Sequence, residues 1–233
     1  MDRLANHVGL YDIWTMFFPG VIGLLESLLF VRGTSEILNR EGLLEMMYFI
    51  PETAFGWVVV TVLSIFMGLV FQELGRLIRT ILKIKNMTKD IFTIETGLFE
   101  EKEINCLRAL LMEDEWDEKN IFNWINAEAQ EKGIASRYVK LSVIHNMSLS
   151  LVASMFIGMI EAIVLLLLSY MNGVKDILIT AGITIVLCFS LMIIFVDRSE
   201  RFKRYWVRSL VYAVAVSRAG GEINGDIKSN QDS

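Results

Sequence analysis

The chain has 233 residues, is 54% hydrophobic and has a mean hydropathy of +0.48. Soluble domains run at about 45–50% apolar even when glycine is counted, so the composition excludes an ordinary water-soluble globule. The net charge of −5 comes from an acidic middle segment and gives no reason to expect duplex nucleic acid as a partner. The 2 cysteines, Cys106 and Cys188, fall in a polar segment and an apolar one, which excludes a disulfide framework.

The apolar residues gather in four blocks, at residues 11–31, 54–71, 147–170 and 177–196. Each reaches the ~18-residue length at which a transmembrane helix becomes the default reading. The first is interrupted only by Pro19-Gly20 and Glu26. Its leader is not basic, its apolar run is long and no small-residue cleavage site follows, so it is expected to be a retained span rather than a signal peptide. A polar to amphipathic loop over 32–50 then leads to Pro51, suited to the first turn of the second span. That helix is expected to continue through Lys85, since nothing before Asn86 breaks it.

The polar segment that follows carries Ile104, Leu107, Leu110 and Leu111 at helical spacing behind Glu100-Glu101-Lys102-Glu103. Acidic residues in a first turn suit the positive end of the helix dipole. Glu113-Asp114-Glu115 and Asp117-Glu118 lack the glycine and terminal glutamate of a calcium loop and read as a solvated linker. A second short helix carries Ile121, Phe122, Ile125 and Ala129 on one face and ends at Gly133. From Ile134 the pattern allows one helix into the third span, and the tight turn at 171–175 makes spans three and four an antiparallel hairpin.

The expected fold is all-α: a polytopic membrane protein with four transmembrane helices and a small helical cytoplasmic insert. Its parts are a membrane hairpin (1–73), the insert (74–146), a second hairpin (147–197), a basic helix (198–218) and a disordered tail (219–233). Arg32, Arg40 and Lys175 would lie on one side of the membrane. Arg76, Arg79, Lys83, Lys85, Lys89, Arg137, Lys140 and the basic run after span four would lie on the other. The positive-inside rule then places both termini and the insert in the cytoplasm.

Two carboxylates inside the spans, Glu26 and Glu161, are the strongest functional signal. Each costs roughly 2.5–3.5 kcal/mol at a bilayer centre even on an insertion scale. Glu161 ends a stripe of Ser150, Ser154 and Gly158 at i, i+4, i+8 and i+11. Similar stripes of small and polar residues run through Thr180, Thr184 and Cys188, through Thr61, Ser64, Gly68 and Gln72, and through Thr15, Pro19, Gly23 and Ser27. Tight helix packing explains such stripes, but not a mid-membrane carboxylate. Glu161 is either a group facing a water-filled cation path, as in a ring of carboxylates from identical subunits, or a protonated acid bonded to a neighbouring hydroxyl. Glu26 lies nearer the outer surface, with room to snorkel outward. Pro19 and Gly20 are a candidate gating kink.

Arg198, Arg201, Arg204 and Arg208, with Arg76 and Arg79, form a candidate site for anionic lipid or for an anionic ligand such as a nucleotide or oligonucleotide. Phe202, Trp206 and Leu210 fall on another face of the same helix. The sequence holds no phosphate-binding glycine loop, zinc cluster or nucleophile elbow. The only histidines are His7 and His145, the latter read as interfacial. No enzyme activity and no cofactor are expected.

Tyr11-Asp12, then Phe17-Phe18-Pro19-Gly20 opening the first span, and Arg137-Tyr138 before the third resemble the channel subunit of the Hailong-type bacterial anti-phage defence system. That resemblance implies a homo-oligomeric, potassium-permeable channel in the bacterial inner membrane. It also implies gating by an oligonucleotide made by a partner nucleotidyltransferase. No Thr-Val-Gly-Tyr-Gly filter occurs, so selectivity would arise elsewhere. The expected function is an oligomeric ligand-gated cation channel acting as a membrane effector. The alternative is a non-conducting membrane anchor that recruits a cytoplasmic partner.

Overall fold

The computed structural model describes residues 10–38, 54–81, 91–92, 97–111, 120–135 and 138–229. The end of the first loop with Pro51, Lys83, Lys85 and Lys89, the acidic linker at 113–118, Arg137 and His7 lie outside the described residues. Among those described, the chain is all-helical. Its elements are α1 (Leu10–Leu38), α2 (Ala54–Ile81), α3 (Glu101–Leu111), α4 (Ile121–Glu131), α5 (Val139–Asn172) and α6 (Lys175–Ser229). Four of them, α1, α2, α5 and α6, are long and apolar enough to cross a membrane. The chain is a multi-pass helical membrane protein.

The chain forms two compact units. The membrane unit comprises α1, α2 and residues 143–199, and the second unit comprises residues 83–142 and 200–233. Lipid tails are as apolar as leucine, so spans associate through close packing and not through hydrophobic transfer. Glycine supplies that closeness here. A Cβ at Gly20 would lie 1.7 Å from the carbonyl oxygen of Ser64, and one at Gly68 would lie 1.8 Å from that of Met16, so α1 and α2 touch backbone to backbone. At Gly75 a Cβ would lie 2.3 Å from the carbonyl oxygen of Leu149, which also seats α2 closely on α5. The Ser64–Gly68 part of the second-span stripe is therefore a packing seam, while Thr61 is exposed and bonds its own helix at the Trp57 carbonyl, 2.8 Å away. α1 runs unbroken through the buried Pro19, and Gly20 serves the contact with α2.

The α5–α6 turn closes as the sequence predicts. Gly173 takes φ +71°, and the Val174 N–H reaches back to the Ser169 carbonyl at 3.0 Å, a helix-ending bond that needs the left-handed residue between.

In the second unit, all the residues expected on the apolar faces of the two short helices enter one core or pack against it. The rest of that core is Ile91, Phe92, Leu98 and Phe99 ahead of α3, with Val207, Leu210, Val211, Val214 and Ala215 of α6. The basic helix is thus no separate part; its apolar face completes the insert. Glu103 caps α3 by accepting the Glu100 N–H at 2.8 Å. Gly133, at φ +68°, ends α4 with its N–H on the Gln130 carbonyl at 3.1 Å.

Two expectations need correction here. The helix into the third span does not begin at Ile134 but at Val139, because the left-handed turn at Gly133 redirects the chain through a tight turn closed by Tyr138 N–H on the Ala135 carbonyl, 3.0 Å. α6 also continues through Ser229, past the Ala219-Gly220-Gly221 run where a disordered tail was expected to start. Each glycine costs about 1 kcal/mol against alanine but does not stop a helix that is already propagating.

Candidate functional site

The two intramembrane carboxylates meet on facing helices. Ser154 Oγ of α5 donates to Glu26 Oε2 of α1 at 2.9 Å, and Ser27 Oγ of α1 donates to Glu161 Oε1 of α5 at 3.1 Å. Each helix thus supplies one carboxylate and one hydroxyl to the other. Gly158 lies between Ser154 and Glu161 on α5 and makes the room. A Cβ there would fall 2.7 Å from Glu26 Cδ and Oε1. Three predicted site residues, Ser154, Gly158 and Glu161, therefore act together on one contact. Glu26 does not snorkel outward: its bond to Ser154 holds it toward α5. The second oxygen of Glu161, Oε2, is out of solvent and has no hydrogen-bond partner among the described residues.

A cavity of about 350 Å³ opens beside these carboxylates, between α1, α5 and α6. Glu26, Gly158 and Glu161 line it at one end, Thr180, Ala181 and Thr184 along α6, and Arg32, Glu36 and Asp176 towards the α5–α6 turn. The threonine stripe seen in the sequence therefore faces the carboxylate stripe across a cavity. Thr180 donates to the Asp176 carbonyl and Thr184 to the Thr180 carbonyl, both at 2.9 Å. A hydroxyl has one proton and two lone pairs, so with that proton committed each threonine offers the cavity only acceptor capacity. The polar part of the wall is thus made of oxygen acceptors set among apolar side chains such as Leu29, Phe30 and Leu165, and Arg32 is the cationic side chain of the lining.

The candidate arginines occur in both units. Arg76 pairs with Glu73 at 2.8 Å on the exposed side of α2, in the membrane unit. Arg79, Arg198 and Arg201 also have interaction partners, and Arg204 is exposed. Arg208 is tied into the second unit: it pairs with Glu103 at 3.0 Å and lies 5.9 Å from the Phe99 ring centroid and 5.7 Å from that of Tyr212. The Tyr212 O–H also donates to Glu103. That bond is the main reason the Glu103 carboxyl sits below its ordinary range, while burial pushes the Tyr212 phenol up. Arg208 is therefore a structural cation more than a free ligand sensor.

Sequence reading missed three features. Arg218 grips Glu128 through Nε at 3.0 Å and Nη2 at 2.7 Å, with Lys132 adding a bond at 2.8 Å, and this holds the Glu128 carboxyl below its ordinary value. Lys203, counted only as part of a basic run, is buried. His145, read only as interfacial, is buried in the protein; its Nδ1 lies 2.8 Å from Ser199 Oγ and 2.9 Å from the Ser199 carbonyl. Partners 54 or 90 residues apart leave no local signal in a sequence. Among the described residues no three His, Cys, Asp or Glu side chains are grouped to hold a metal ion.

No protein family, curated protein or solved structure matches the chain. Fold and site together define a class: a four-span helical membrane protein with a pair of hydroxyl-bonded carboxylates beside a cavity in its bundle.

Proposed function

We propose that the protein passes small monovalent cations across a membrane, with Glu26 and Glu161 shaping the path. One observation carries this reading. The cavity wall sets the Glu26 and Glu161 carboxyls opposite the Thr180 and Thr184 hydroxyls, whose protons are already committed, and these polar groups favour a cation over an anion. Charged side chains in spans that line cavities are generally part of ion or proton routes. The lysine and arginine distribution adds cytoplasmic termini to this reading, while a homo-oligomer in the bacterial inner membrane follows from the resemblance at the first span.

Potassium as the ion, a role in anti-phage defence and control by an oligonucleotide from a partner nucleotidyltransferase rest on the resemblance at the first span. Arg76, Arg79, Arg198, Arg201 and Arg204 are the side chains we assign to an anionic ligand or anionic lipid, by their charge and their place beside the spans.

Purified protein in liposomes tests the proposal. Potassium or sodium flux is expected, and Glu161→Gln and Glu26→Gln should each change conductance or cation-over-anion selectivity. No flux with or without added oligonucleotide, from intact protein, favours the anchor reading, in which the second unit with its own core recruits a partner.

A further inference from the structure

We infer that water and small cations reach the two carboxylates through the bundle of a single chain, from the end of the membrane unit that carries the α5–α6 turn. This deepens the cation reading and rests on it for the ion's class, but the access route itself does not depend on conduction. An oligomer axis, expected from sequence as the place for a path, is not needed to bring solvent to Glu161.

Three observations support the route. The cavity runs between α1, α5 and α6 of one chain, and its lining includes Glu36, near the end of α1, and Asp176, in the first turn of α6. Four carboxylates, Glu26, Glu36, Asp176 and Glu161, line it against one guanidinium, Arg32. Its deep end meets Gly158, where the missing side chain lets Glu26 approach α5; a Cβ there would overlap that carboxyl. A low-dielectric cleft lined mostly by one sign of charge concentrates counter-ions by about 10–10³-fold. Apolar side chains such as Leu29, Phe30 and Leu165 make up much of the rest of the wall, so these charged groups are what would hold water there.

Thiol accessibility tests the route without measuring flux. In a Cys106→Ser, Cys188→Ser background, Thr184→Cys and, separately, Ala181→Cys are placed along the cavity, with Lys175→Cys as a control at the turn. Intact cells and inside-out vesicles are treated with a cationic or an anionic methanethiosulfonate reagent.

The expected result is modification of the cavity thiols from the side where Lys175→Cys reacts. The cationic reagent should be favoured by about tenfold or more over its preference for a free thiol. Adding Glu26→Gln and Glu161→Gln should lower that preference while leaving the thiols reactive. The inference is overturned if both cavity thiols stay unreactive while Lys175→Cys reacts, if they react only from the opposite side, or if the two reagents show no charge preference. Reactive, charge-selective thiols in a protein without flux would uphold the route and remove the conduction reading instead.

Discussion

The contact between α1 and α2 leaves no space for a side chain, and this gives a prediction with a clear size. Gly68→Ala would place a Cβ 1.8 Å from the Met16 carbonyl oxygen, and Gly20→Ala one 1.7 Å from that of Ser64. A relaxed carbon–oxygen contact is about 3.3 Å, so the two backbones must part by roughly 1.5 Å in either variant. The obstructing atoms belong to helical main chain and cannot rotate aside as a side chain would. Overpacking costs about 1–3 kcal/mol where side chains absorb it; these variants belong at the top of that range or beyond, equivalent to about a hundredfold loss in the folded-to-unfolded ratio. Unfolding in mixed micelles, titrated with sodium dodecyl sulfate and followed by tertiary fluorescence, measures it. Gly182→Ala is the control, because the nearest atom to its Cβ is Leu166 Cδ1 at 4.0 Å and alanine is the better helix former. Gly68→Ala as stable as wild type, or Gly182→Ala equally damaging, would refute the backbone-contact account.

The second unit and the site give further tests. Arg218→Ala should destabilise the second unit by about 1–2 kcal/mol, between the worth of an exposed pair and the cost of breaking a buried one. The Glu128 carboxyl is held below its ordinary value of 4.5, first by its bonds to Arg218, so its contribution is complete above pH 4.5 and is lost as pH falls through the lower folded value. Stability measured against pH should therefore show an acid loss that Glu128→Gln reduces. Tyr212→Phe should raise the titration midpoint of Glu103, followed by carboxyl carbon NMR, because the phenol bond is the largest influence holding it down. Ser154→Ala should cost about 0.6 kcal/mol, the average for a hydrogen bond between spans, and should alter cation flux more than Ser190→Ala, whose hydroxyl serves only its own helix at Val186.

Much of this architecture is legible in the sequence because its signals are local. Runs of apolar residues mark the spans, Gly133 and Gly173 mark helix ends, and Ile104, Leu107, Ile121, Phe122 and Ile125 mark buried faces by spacing alone. The stripes were legible as stripes, but not as to what each one meets. Ser64 and Gly68 pack on backbone, while Ser154 and Thr180, of the same residue classes, serve a carboxylate and a cavity. Periodicity gives the face of a helix and leaves its partner open. For that reason the sequence leaves Glu26 free to snorkel outward, when its partner Ser154 lies 128 residues away on α5. Arg208 looked like a ligand-binding cation for a similar reason, since Glu103 and Phe99 are distant in sequence and adjacent in the fold.

The central claim is that the Glu26–Glu161 cavity belongs to a cation path. Reversal potentials of the purified protein in planar bilayers under a potassium chloride gradient test it most directly. The account predicts a potential near that of the cation for wild type, moved toward zero in the Glu26→Gln, Glu161→Gln double variant. A conducting double variant with unchanged cation selectivity, or a wild type that passes chloride equally well, would contradict it.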